Sequence, residues 1–128
     1  MKVLLVEDSR FLRAATERAL TSAGYAVVSA SDGDEAVRLA REHRPALILL
    51  DVMLPKMSGP DVLRVLKNDP ATAAIPVMML TSLSQKNAKQ MEKDGACGFF
   101  EKSDSMLGNG PESLLAAVDR ILNALPGP

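Results

Sequence analysis

An α/β fold built on a parallel sheet is what this 128-residue sequence predicts, and three observations carry it. Five short apolar runs, at residues 2–6, 25–29, 46–50, 77–80 and 98–101, alternate with helix-like segments, the pattern of repeated βα units. Two of them, Met1-Lys2-Val3-Leu4-Leu5-Val6 and Pro45-Ala46-Leu47-Ile48-Leu49-Leu50, are continuous rather than alternating in polarity, as central strands covered by helices on both faces must be. Both run into acids, Glu7-Asp8 and Asp51, and parallel neighbours deliver such end residues to one edge of a sheet. The expected class is a single doubly wound (βα)5 domain over residues 1–128.

The first helix is predicted over residues 10–23, with Leu12, Ala15, Ala19 and Leu20 at helical spacing and Gly24 as terminator. Asp32-Gly33-Asp34-Glu35 supplies an acid at the N-cap and a glutamate three residues on, so a second helix runs from there to about His43, before Pro45. Ser58-Gly59-Pro60 opens the third, whose apolar face is Val62, Leu63, Val65 and Leu66, and Asp69-Pro70 ends it. Pro76 precedes the fourth strand, where a missing N–H is tolerated, and Thr81 closes it. Residues 84–94 are polar, with Lys86, Lys89 and Lys93 on one face and Met91 as the large apolar anchor, which reads as a solvated helix. The last helix, about residues 111–125, turns Leu114, Leu115, Val118, Ile121 and Leu122 inward, and Pro126-Gly127-Pro128 stops it.

Composition narrows the function. A formal net charge of −1 and the lack of any Lys/Arg block argue against nucleic acid as a partner. No apolar run reaches the roughly 20 residues of a membrane span, and the first strand is too short for a signal-peptide core, so a cytoplasmic protein is expected. Cys97 is the single cysteine, which precludes an internal disulfide, and it reads as a small buried residue. His43, the single histidine, reads as a solvated helix-end residue, and no histidine metal cluster can form.

Glu7, Asp8, Asp51, Thr81 and Lys102 each fall at the carboxyl end of a predicted strand, the rim where ligands bind in open α/β sheets. Three carboxylates brought together repel one another, so a hard divalent cation is called for to hold them ionised.

In order and spacing, these residues resemble the receiver domain of two-component response regulators, the chemotaxis-regulator type included. The resemblance rests on Val6-Glu7-Asp8-Ser9, on Asp51-Val52-Met53-Leu54-Pro55 through Gly59, on Thr81-Ser82, and on Gly95-Ala96 followed by Phe99 and Lys102. It implies a flavodoxin-like sheet of strand order 2-1-3-4-5. It further implies that Asp51 accepts a phosphoryl group from a sensor histidine kinase or histidine phosphotransfer protein. Mg²⁺ would be bound by Asp8, Asp51 and the backbone carbonyl of Met53, with Glu7 acting through water. Lys102 and the Thr81 hydroxyl would hold phosphoryl oxygens, and Phe99 would be the switch aromatic that turns inward as Thr81 moves. Phosphorylation would then re-set the surface formed by the last two helices and the last strand, for a downstream target the sequence does not identify. Such a domain promotes its own phosphorylation and dephosphorylation and is not a turnover enzyme.

The chain departs from the family pattern at several points. Glu7 stands where aspartate is commoner, and Ser103 replaces the usual proline after Lys102, so the Lys102–Ser103 bond is expected to be trans. The connection at residues 103–110 is longer than usual. It is either a functionless insertion or a partner contact that presents Met106 and Leu107 as exposed apolar groups. Phe11 either packs inward or docks a kinase helix. Met53 and Leu83 take positions that in the family flank the attacking water. Two rivals stand beside the switch: a pseudo-receiver that never accepts phosphate, and an aspartyl-nucleophile phosphatase, which would need a second acid where this chain has Met53.

Overall fold

The computed structural model describes residues 1–81, 88–102, 106–108 and 113–124. Among the described residues ten elements alternate: β1 (Lys2–Val6), α1 (Arg10–Ser22), β2 (Ala26–Ala30), α2 (Gly33–His43), β3 (Leu47–Asp51), α3 (Gly59–Lys67), β4 (Val77–Thr81), α4 (Ala88–Lys93), β5 (Gly98–Glu101) and α5 (Leu114–Ala124). The strands are parallel and ordered β2-β1-β3-β4-β5, the expected topology.

The strand period of two divides the core into two layers. Leu4, Val6, Ile48, Leu50, Val77 and Met79 face one side and pack with Ala36, Val37, Val62, Leu63, Leu66 and Met91 of α2, α3 and α4. Val3, Leu5, Leu47, Leu49, Met78 and Leu80 face the other and pack with Leu20 of α1 and Leu114, Val118 and Leu122 of α5. Each such aliphatic side chain taken from water stabilises the fold by about 1.5–3 kcal/mol. The sequence marks β1 and β3 as central, and β4 joins them: all five of its residues are buried, whereas β2 and β5 are the half-exposed edges. Among the described residues no helix is long and apolar enough to cross a membrane.

The starts of α2 and α3 are capped where the sequence indicates, and α1 is capped as well. Ser9 Oγ accepts the Leu12 N–H, Asp32 Oδ1 the Glu35 N–H and Ser58 Oγ the Asp61 N–H, and each serves donors with no partner inside the helix. At α2 the third helical residue also reaches back, since Glu35 Oε1 accepts the N–H of Ser31, the residue before the cap. Gly24, at φ +98°, terminates α1 as expected.

Several expectations need correction. Met106 is 3% exposed and belongs to the α1/α5 core layer, with half-buried Leu107 packed against it, and Met106 O accepts the Leu114 N–H at 2.7 Å. Met106 is thus a core residue and Leu107 a half-buried one, not the exposed apolar pair expected. Cys97 is exposed, because it precedes the edge strand β5 and only its backbone N–H is tied in, to Val77 O at 2.8 Å. Val65 is exposed on α3, one position outside its buried arc. On α1 the buried pair is Leu20 and Thr16, the threonine concealing its polarity by donating to Leu12 O at 2.8 Å. Expectations about Leu83, Lys86, the Lys102–Ser103 bond, the start of the last helix at Pro111 and the Pro126-Gly127-Pro128 end fall outside the described residues.

One contact ties the fold to the rim. A Cβ on Gly59 would stand 2.2 Å from Asp51 O and 2.7 Å from Val52 Cα, so α3 begins directly against the turn that leaves β3. Gly59→Ala is therefore expected to cost about 2–3 kcal/mol in urea unfolding. A variant as stable as the parent would show that this turn yields freely.

Candidate functional site

The site lies where the strand ladders continue one residue past their strands. Val6 pairs with Leu50 across β1 and β3, which brings the next residues, Glu7 and Asp51, to the same level. The Glu7 N–H goes on to Ala30 O at 3.0 Å, the Val52 N–H to Leu80 O at 3.0 Å and the Lys102 N–H to Thr81 O at 2.5 Å. Glu7, Asp51, Thr81 and Lys102 are thus placed by the sheet itself, before any loop is free to wander.

Lys102 Nζ stands 2.6 Å from Glu7 Oε1 and 2.6 Å from Asp51 Oδ2. Glu7 and Asp51 are 2% and 4% exposed, so an unpaired charge on either would be costly there. Their remaining oxygens are also served: Glu7 Oε2 accepts the Ser9 N–H at 3.1 Å, and Asp51 Oδ1 the Met53 N–H at 3.1 Å. Burial works against the Lys102 charge, but hydrogen bonds to Asp51 and Glu7 and the two negative charges outweigh it, so the ammonium titrates above its ordinary 10.5.

Asp8 is the exposed acid of the group, and one carboxylate oxygen from each of Glu7, Asp8 and Asp51 falls within 4.8 Å of the others. Three hard oxygen donors around one solvent-facing point form a donor set that fits a small divalent cation which keeps several waters. Thr81 is buried beside them at the end of β4. Phe99 is half-buried on β5 against the core layer that contains Met91. Phe11, at the start of α1, is 85% exposed and Met53 is 72% exposed; of the two readings of Phe11, inward packing is therefore not the one adopted.

Arg13 is the residue that sequence reasoning missed. Its guanidinium donates to Glu7 O at 2.8 Å and reaches Asp8 O at 3.5 Å, holding the loop that carries both acids. The available signal was its position, one turn into α1 and so able to fold back over the helix start.

Comparison with known proteins agrees with this geometry. Residues 3–108 match the response regulator receiver domain family. This chain belongs to that family.

The receiver is 42% identical over 123 residues to the gliding motility regulatory protein of Myxococcus xanthus, covering 94% of this chain but only 15% of that protein. It is 37% identical over 95 residues to the polar-differentiation response regulator DivK of Brucella anthropi, covering 74% of this chain and 77% of that one. Among solved structures, the chemotaxis protein CheY4 of Vibrio cholerae superposes with a TM-score of 0.82 at 33% identity, over 94% of this chain and 97% of that one. The receiver domain of a sensor histidine kinase from Pseudomonas aeruginosa, described with a magnesium ion coordinated in its active site cleft, gives 0.78 at 28% identity, over 95% and 93%. The chain is thus a signalling domain of two-component systems, a family that works with kinases or phosphotransfer proteins.

The ion pair has a pH signature. A lysine whose folded value is raised contributes stability that is complete below its unfolded value and lost as pH rises through the folded one. In metal-free buffer, Lys102→Met should lower stability by about 3 kcal/mol at pH 7. That gap should hold to about pH 10 and close above 10.5. Urea unfolding of both proteins across this range checks it, and a gap that persists at high pH would contradict the pairing.

Proposed function

We propose that this receiver is a phosphoacceptor switch in which Asp51 takes a phosphoryl group in a Mg²⁺-dependent reaction. The observation that carries the reading is the bridge from Lys102 to Asp51 and Glu7, with Asp8 open to solvent beside them. In the transfer, an Asp51 carboxylate oxygen attacks phosphorus, the donor's bond to phosphorus breaks with its electrons leaving on the donor, and an acyl phosphate forms. Phosphoryl transfer asks mainly for positioning and charge neutralisation, and this chain supplies both. Lys102 presents a compact ammonium at Asp51, the Thr81 hydroxyl lies on the neighbouring strand, and the Met53 N–H fixes the carboxylate. Bound by Asp8, Asp51 and the Met53 carbonyl, with Glu7 at its edge, Mg²⁺ would supply the charge that shields the incoming phosphate from three acids.

The donor in this reading is a sensor histidine kinase or histidine phosphotransfer protein, with exposed Phe11 and Met53 flanking its approach. Modification would draw Thr81 toward the phosphoryl group and let Phe99 move into the space released, a population shift between two packings of β4, β5 and the helices beside them. The reaction runs in the cytoplasm, and the domain catalyses only its own phosphorylation and dephosphorylation.

Intact mass after incubation with acetyl phosphate and Mg²⁺ tests the proposal. A single phosphoryl adduct is expected on wild type and none on Asp51→Ala; no adduct on either would leave a pseudo-receiver. Met53→Asn should shorten the acyl-phosphate lifetime several-fold, since an amide beside Asp51 can hold the attacking water where a thioether cannot. An unchanged lifetime would remove Met53 from the account.

A further inference from the structure

Glu7 makes a contact that a shorter side chain would lose. Its Oε1 is 2.6 Å from Lys102 Nζ. An aspartate at this position would withdraw the carboxylate by about one C–C bond, ~1.5 Å, which takes the pair beyond hydrogen-bonding distance while Lys102 stays against Asp51. The backbone is not free to follow. Its N–H is bound to Ala30 O at 3.0 Å and its carbonyl accepts from Arg13 at 2.8 Å. The ammonium is therefore fixed at two points, Glu7 and Asp51, inside the cluster that offers its oxygens to a cation.

We propose that Glu7 is a positioning residue for Lys102, a latch that holds the ammonium against Asp51 and sets how strongly a divalent cation competes for the cluster. The proposal rests on the reading of this rim as a cation site. With Glu7, Asp8, Asp51 and Lys102 together carrying two net negative charges, a cation gains most when the ammonium swings aside. A lysine anchored to Asp51 alone swings aside readily, whereas one anchored to both carboxylates resists.

A double-mutant cycle on Mg²⁺ affinity, read by titration calorimetry on the whole chain without any phosphoryl donor, isolates this contact. Glu7→Asp should tighten Mg²⁺ at least about threefold more in the protein that keeps Lys102 than in a Lys102→Met background. Equal ratios in the two backgrounds would mean that position 7 acts only through its own approach to the metal, and would overturn the latch; so would the absence of Mg²⁺ binding in every variant. Should a Lys102 variant fail to fold, lysine-labelled NMR of wild type and Glu7→Asp carries the test. The Lys102 ammonium should exchange its hydrogens slowly in wild type and rapidly in Glu7→Asp, and equal exchange would overturn the proposal. A chain that shows the coupling yet accepts no phosphate contradicts only the phosphoacceptor reading.

Discussion

An ammonium held 2.6 Å from each of two buried carboxylates, Lys102 between Glu7 and Asp51, is the contact on which the carboxyl edge of this sheet depends. Without it, two acids less than 5% exposed would face each other with no counter-charge, and a buried charge that loses its partner is costly. With it, the neighbouring acid Asp8 can remain open to water, and the cluster keeps a net negative charge that favours a cation. In the proposed reading, the same ammonium that steadies the edge would also be the competitor a metal must move.

That contact is possible only because the residues arrive at one level, which is a consequence of parallel pairing. Val6 opposite Leu50, Asp51 opposite Leu80 and Thr81 opposite Glu101 set a common register, and ladder bonds beyond the strand ends carry it into Glu7, Val52 and Lys102. The core layers on the two faces hold that register, since a slip of one residue would turn Leu49 and Leu50 to the wrong layers. Gly59 closes the arrangement from the α3 side, where the helix start leaves no room for a side chain beside Asp51.

Much of this was legible in the residues. Continuous apolar runs ending in acids mark β1 and β3, and Asp32 and Ser58-Gly59-Pro60 mark the starts of α2 and α3, because both signals are local and chemically specific. The positions of Glu7, Asp8, Asp51, Thr81 and Lys102 at one rim follow from the same runs. What the sequence hides is contact between distant side chains. Whether Met106 faces a partner or the core depends on where α5 lies, and no local pattern says that α5 leaves a space for it. Cys97 looks apolar by type, yet it sits beside an edge strand and is exposed. Thr16 looks polar, yet an intrahelical hydrogen bond lets it replace an aliphatic residue in the core. Glu7 reads as a one-methylene departure from a commoner aspartate; only the geometry shows that the added length reaches Lys102.

The central claim is that this edge turns Asp51 into the single acid that carries a phosphoryl group. Borohydride trapping followed by peptide mapping tests it at the level of the atom, because hydride reduces an acyl phosphate to an alcohol and leaves free carboxylates untouched. After treatment with acetyl phosphate, the account predicts homoserine at position 51 when Mg²⁺ is present and none when it is chelated. Homoserine at Asp8 or another aspartate, the one-carbon-longer alcohol 2-amino-5-hydroxypentanoic acid at Glu7, or trapping at position 51 that ignores the metal, would contradict it.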